Sequence, residues 1–120
     1  MIEGIGLDIV ELDRIARLNA TSDKFRLRIL SSREQEVYEA LPTSSSRRTE
    51  FLAGRFAAKE AFAKAKGTGI GKDCRFEQIE ILPASSGKPV LHFKDVEVTG
   101  FVSITHTQTV AAAQVILLKD

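Results

Sequence analysis

The chain has 120 residues, 43% hydrophobic and 28% charged, with 17 basic against 16 acidic side chains for a net charge of +1. That balance excludes a disordered chain, a collagen and a coiled coil, suits a single domain over residues 1–120 with its own core, and argues against a bulk nucleic-acid binder. No apolar run approaches the roughly 18 residues of a membrane span, the start lacks a secretory leader, and a single cysteine, Cys74, excludes an internal disulfide, so a cytoplasmic protein is expected.

Residues 1–10 read as a short apolar strand broken by Gly4 and Gly6, with Asp8 set inside Ile5-Gly-Leu-Asp-Ile-Val10. If Leu7 and Ile9 face the core, Asp8 points to the opposite face. A lone aspartate there is ordinarily a solvated carboxylate, but the two glycines permit close approach by something else. Leu12, Ile15 and Leu18 then follow at helical spacing, and Arg14 lies about 100° from Ile15, free for a partner. Thr21 or Ser22 can cap a second short helix carrying Phe25, Leu27, Ile29 and Leu30. From Arg14 to Arg33 six basic residues, Lys24 and Arg28 among them, stand against Asp23 alone. Such an excess is a docking signal for an acidic partner, with a solvated helical face as the ordinary alternative. Ser31 with Glu34, or Ser32 with Gln35, makes a capping box for a third helix that Pro42 stops.

Residues 48–66 form the most strongly helical segment, rich in alanine, free of proline, and followed by Gly67 as its C-cap. Leu52, Phe56 and Ala63 make one apolar stripe, and Phe51 with Phe62 another. Two charged strips remain: Arg55, Lys59 and Lys66 on one side, Glu60 and Lys64 on the other. Glu60 stands about 40° from Phe56 and about 20° from Ala53, so apolar positions border it closely. A helical pair with Lys64 is the plain explanation, and a functional carboxylate is the other. The segment Lys66-Gly-Thr-Gly-Ile-Gly71 offers backbone N–H groups, but it follows a helix instead of opening one, so it reads first as a cap and turn.

Beyond Gly71 the chain changes to short β-branched and aromatic runs around residues 76–81, 90–93, 101–105 and 110–118, separated by turn signals. Helices first and strands later predict an α+β fold, with a long alanine-rich helix on a mostly antiparallel sheet. His106 closes one strand between Thr105 and Thr107. A histidine at a turn is more often structural, but this trio presents several donors together, as an anion requires. His92 and Cys74 are assigned no role. Asp8 and Glu60 could together hold Mg²⁺, which favours one or two carboxylates plus phosphate and water, with Arg55, Lys59 and Lys64 as phosphate partners.

Gly4-Ile-Gly-Leu-Asp8 with Arg14, then Phe51-Leu-Ala-Gly-Arg-Phe-Ala-Ala-Lys-Glu60-Ala-Phe-Ala-Lys64-Ala-Lys-Gly67, then Ser103-Ile-Thr-His-Thr107, resemble the bacterial holo-[acyl-carrier-protein] synthases, the small phosphopantetheinyl transferases. The resemblance runs over essentially the whole chain, in order. It implies the 4′-phosphopantetheinyl transferase fold and transfer of the 4′-phosphopantetheine arm of coenzyme A to a serine of apo acyl carrier protein, in fatty acid biosynthesis. Adenosine 3′,5′-bisphosphate leaves, and Mg²⁺ is required. Asp8 and Glu60 match the metal carboxylates, and Lys64 a lysine near the diphosphate. Arg55, Lys59, Gly67 and the Thr105-His106-Thr107 segment are then expected at coenzyme A, and Arg14, Leu18, Lys24 and Arg28 at the acidic carrier. The family implies a homotrimer with active sites between subunits, and no nucleic-acid or membrane partner. Either Asp8 or a water on the cation could take the serine proton. Two other classes compete: a non-catalytic binder of coenzyme A or another nucleotide, and a small RNA-binding module, against which the scarcity of aromatics counts.

Overall fold

A computed structural model describes residues 1–119. In chain order the elements are β1 (Ile2–Glu11), α1 (Leu12–Thr21), α2 (Lys24–Ile29), α3 (Ser32–Glu39), α4 (Arg47–Lys66), a 3₁₀ turn (Phe76–Gln78), β2 (Ile79–Pro83), β3 (Pro89–Phe93), β4 (Val96–Glu97), β5 (Gly100–His106) and β6 (Val110–Leu118). The chain is therefore α+β. The strands form two three-stranded antiparallel sheets, ordered β1-β6-β5 and β2-β3-β4. The last long strand, β6, lies between the first strand and β5.

Two of the expected caps form, but α2 starts after Asp23 with no side-chain cap, Thr21 bonding back to the Leu18 carbonyl and Ser22 Oγ accepting only the Lys24 N–H at 3.2 Å. The Ser31 hydroxyl accepts the Glu34 N–H and the Glu34 side chain accepts the Ser31 N–H, so the first of the two possible capping boxes forms. Gly67 ends α4 with φ of 85°, a left-handed conformation that glycine adopts without a Cβ clash. Its N–H donates to the carbonyls of Ala63 and Lys64.

The two glycines of β1 do not break the strand, which runs through them. A methyl group on Gly4 or Gly6 would overlap the carbonyls of Ala65 and Ala61, so the helix backbone rests directly on the strand. Ala57, Ala58, Ala61 and Ala63 of α4 are each almost fully buried. The packing also reverses the expected facing of β1. Leu7 and Ile9 are 62% and 67% exposed, while Gly4, Gly6, Asp8 and Val10 face the helix. Asp8 thus points toward α4, because only the glycine face of the strand admits a helix at that distance.

On the other flank of α4, Ile79, Ile81 and Leu91 are buried and Phe93 packs on Phe62 with ring centroids 5.1 Å apart. The free edge of β2 is closed by side chains. The N–H of Ile81 donates to Glu34 Oε2 at 2.8 Å, and its carbonyl accepts from Arg55 Nε at 3.2 Å.

Candidate active site

Asp8 leaves β1 toward α4 and meets Lys64, whose ammonium donates to Asp8 Oδ1 and to the carbonyl of Leu7, both at 3.0 Å. The Asp8 carboxylate is largely covered, whereas the lysine is half in solvent. Glu60 lies one helical turn before Lys64 on the same side of α4. Burial raises the pKa of Glu60 most, and the nearby Asp8 charge raises it further; Lys64, Arg14 and Arg28 oppose that shift. Two carboxylates and three cations thus share one electrostatic neighbourhood on the face of α4 that looks toward α1 and α2.

Beside Glu60 opens a groove of about 450 Å³ whose walls are Phe25, Ile29, Phe56, Ile70 and Phe76, with Leu18, Arg14 and Arg28 along it. The guanidinium of Arg14 lies over the Phe56 ring at 5.9 Å and that of Arg28 over the Phe76 ring at 5.7 Å. The groove therefore combines an apolar floor with two cations and one carboxylate. Lys24 is exposed on α2 and does not line it. A larger hollow of about 660 Å³ surrounds the Arg33–Glu80 ion pair between α3 and β2, and holds neither Asp8 nor Glu60.

Lys59 corrects the sequence reading. The sequence groups it with the phosphate partners, but its side chain is fully buried, with the ammonium bonded to Glu34 Oε1 at 2.5 Å, the Ile29 carbonyl at 2.6 Å and the Phe76 carbonyl at 3.1 Å. All three protons of the ammonium are committed, so none is left for a phosphate. Burial lowers the Lys59 pKa, and the Glu34 carboxylate holds it up. Arg55 is also turned inward, stacked on Phe51 at 4.3 Å and bonded through Nε to Ile81. The N–H of Gly67 is spent on the helix cap.

Thr105, His106 and Thr107 lie exposed where β5 ends. His106 Nδ1 is 3.9 Å from Glu50 Oε2, and Glu50 accepts from the Ser46 hydroxyl at 3.1 Å. The hydroxyl of Thr107 accepts the N–H groups of Thr109 and Val110 and so shapes the turn. Glu50 and Glu60 are ten positions apart on α4, a separation of about 15 Å along the axis. Within one chain the His106 segment therefore stands well away from the two carboxylates.

Sequence reasoning missed two features. Phe25, Phe56, Ile70 and Phe76, to which the sequence assigns no site role, wall a groove; the signal is that Phe25 stands between Lys24 and Arg26. Glu34 was read only as a capping residue, but its carboxylate is also the buried counter-charge of Lys59.

Known proteins resemble this chain over nearly its full length. Residues 4–115 match the 4′-phosphopantetheinyl transferase superfamily. The holo-[acyl-carrier-protein] synthase of Bacillus pumilus is 52% identical over 120 residues, covering 98% of this chain and 96% of its own. That of Bacillus subtilis is 52% identical over 118 residues, with 98% and 96% covered. Among solved structures, the Bacillus anthracis holo-(acyl-carrier-protein) synthase in complex with CoA (3′,5′-ADP) superposes with a TM-score of 0.89 at 48% identity, over 100% of this chain and 99% of that one. The Helicobacter pylori holo-[acyl-carrier-protein] synthase in complex with coenzyme A gives 0.81 at 29% identity, over 95% and 99%.

Proposed function

The chain belongs to the 4′-phosphopantetheinyl transferase superfamily, and we infer that it transfers the 4′-phosphopantetheine moiety of coenzyme A to a serine of apo acyl carrier protein, releasing adenosine 3′,5′-bisphosphate, the holo-[acyl-carrier-protein] synthase reaction. The convergence of Asp8, Glu60 and Lys64 where β1 crosses α4, beside a groove flanked by Arg14 and Arg28, carries the reading. Incubating the protein with coenzyme A, Mg²⁺ and apo acyl carrier protein should raise the carrier mass by one 4′-phosphopantetheinyl group. An unmodified carrier in the presence of folded protein would overturn it.

The residues divide the work. Among the described residues no group of three or more His, Cys, Asp or Glu gathers into a closed metal cage. Asp8 and Glu60 would offer two oxygen donors where β1 crosses α4, a donor set that suits Mg²⁺, which favours one or two carboxylates beside phosphate and water. Such an ion, when bound, supplies charge neutralisation at the diphosphate. Lys64 is half exposed and can turn its ammonium to the leaving phosphate without giving up the strand carbonyl it holds. Asp8, already an acceptor toward Lys64, is one candidate to receive the serine proton, and a water held at the site is the other. Phosphoryl transfer asks for positioning and electrostatic stabilisation more than for covalent help, and these groups provide both. The whole of residues 1–120 acts as one transferase domain in the cytoplasm, serving fatty acid biosynthesis; no described helix is long and apolar enough to cross a membrane.

The active unit in this reading is a homotrimer with sites between subunits. Ile5, Leu7, Ile9 and Phe101 expose more than half their surface on the outer face of the β1-β6-β5 sheet. Register places Ile5 and Phe101 on either side of Ile116, so the apolar row is continuous across three strands. In this reading the His106 segment of a neighbouring copy completes the site, since within one chain that segment stands well away from Glu60. Leu7→Asp should therefore yield monomers by light scattering and lower transfer by roughly tenfold or more, since a charge in a sheet interface is costly. Mixing Asp8→Ala with a His106 variant should restore activity through hybrid sites. A fully active monomer would dismiss the assembly.

The groove suits an acidic amphipathic helix, because its apolar walls carry cations and its one carboxylate is occupied with the metal site. Arg14→Glu should weaken carrier binding by about tenfold and leave coenzyme A binding nearly unchanged. The loss should lie mainly in the association rate and shrink as salt rises. Lys24→Glu should act in the same direction but less, being outside the groove. Titrating carrier and coenzyme A separately into each variant checks this; equal losses for both ligands would contradict separate surfaces.

A further inference from the structure

Lys59 is adjacent to Glu60 in sequence, yet it leaves α4 about 100° away and enters the core. Two of its three acceptors, the carbonyls of Ile29 and Phe76, belong to residues that wall the groove beside Glu60. Ile29 closes α2, a helix of six residues. So short a helix has little stability of its own, and its terminal carbonyls lack partners within it. The Lys59 ammonium satisfies one of them and places a positive charge at the C-terminal end of the helix. Phe76 stands on the opposite wall, stacked on Phe56 with centroids 5.5 Å apart and supporting Arg28. The third acceptor, Glu34, is itself held by the N–H groups of Ser31 and Ile81. The ammonium is thus anchored to α3 and β2 while it grips both walls.

We propose that Lys59 is a positioning residue for the carrier groove, tying the α2 wall to the Phe76 wall from below and fixing the spacing at which Phe25, Arg28 and Phe76 are presented. This rests on the transfer reading above and names the device that preorganises one of its two substrate surfaces. Walls held in place before binding need not be ordered by the ligand, which raises affinity without any contact between Lys59 and the carrier. Asp8, Lys64 and the His106 segment lie outside this network, so the coenzyme A side is unaffected.

Lys59→Met alone leaves Glu34 buried without a counter-charge and can unfold the chain. The deciding variant is Lys59→Met with Glu34→Gln, which removes both charges together, assayed at a temperature where circular dichroism shows it folded. The carrier KM should rise roughly tenfold, with the coenzyme A KM changed by less than about twofold and kcat largely kept. Hydrogen exchange on the protein alone should quicken in residues 24–30 and 76–79 and stay unchanged in β1. A merely structural pair would reduce the folded fraction, lowering kcat with both KM values unaltered. That result, an unchanged carrier KM, or equal rises for both substrates would overturn the proposal. A wild-type protein that transfers nothing would remove the reaction and this inference together, whereas an active wild type with an unaltered double variant removes this inference alone.

Discussion

Replacing Asp8 or Glu60 with alanine is expected to lower transfer by roughly a hundredfold or more while leaving the protein folded. Both carboxylates are partly covered where β1 crosses α4, and neither belongs to the apolar core. In the proposed site each would supply half of the protein's donor set for a diphosphate-bound cation, so neither could stand in for the other. Glu60→Gln is the sharper variant, because it keeps the shape and removes only the charge. It should lose activity like Glu60→Ala, with a thermal midpoint near that of wild type. A structural pair with Lys64 predicts the opposite pattern, ordinary catalysis and a small stability loss of about 0.3–0.5 kcal/mol. The measurement is the rate of carrier mass gain at limiting Mg²⁺, and near-normal transfer by either alanine variant would strike that residue from the site.

Lys59→Met should destabilise the fold by about 3–5 kcal/mol, a large share of the roughly 5–15 kcal/mol typical of a domain. The side chains of Lys59 and Glu34 are both fully enclosed, and the substitution leaves a carboxylate in the core with no cation beside it. It also strips the carbonyls of Ile29 and Phe76 of a donor. Adding Glu34→Gln should recover much of the loss, since an isolated buried charge costs more than a missing pair. Urea unfolding of wild type, single and double variants reads this directly. A single variant within about 1 kcal/mol of wild type would mean that the pair behaves like an exposed one. The Lys64–Asp8 pair, whose lysine is half in solvent, is the internal contrast: breaking it should cost activity and less stability.

Lys59 and Glu60 show where sequence is informative and where it stops. Both are charged, both sit in a strongly helical segment, and periodicity places them about 100° apart. Periodicity does not say which of the two faces the interior, because a buried lysine needs a counter-charge and that charge comes from Glu34, 25 positions earlier. The sequence does show a capping box at Ser31 and Glu34. Only the fold shows that the same carboxylate spans α3, α4 and β2.

By itself the sequence determined the α+β class, the extent of α4 within a residue and its glycine cap, and that a capping box opens α3, and it singled out two carboxylates and a lysine as site candidates. These depend on local propensities and spacing, which act over a turn or two of chain. The tertiary structure decided the rest. It turned Asp8 toward α4 and left Leu7 and Ile9 outside, because a strand with glycine on one face and leucine or isoleucine on the other can be buried either way until a helix chooses. Here the helix backbone needs the glycine face, where no side chain keeps it at a distance. It also paired β1 with β6, across more than a hundred positions of sequence, and split the strands into two sheets. Such pairings are set by which surfaces can be buried together, a property of the folded whole that no window of the chain contains.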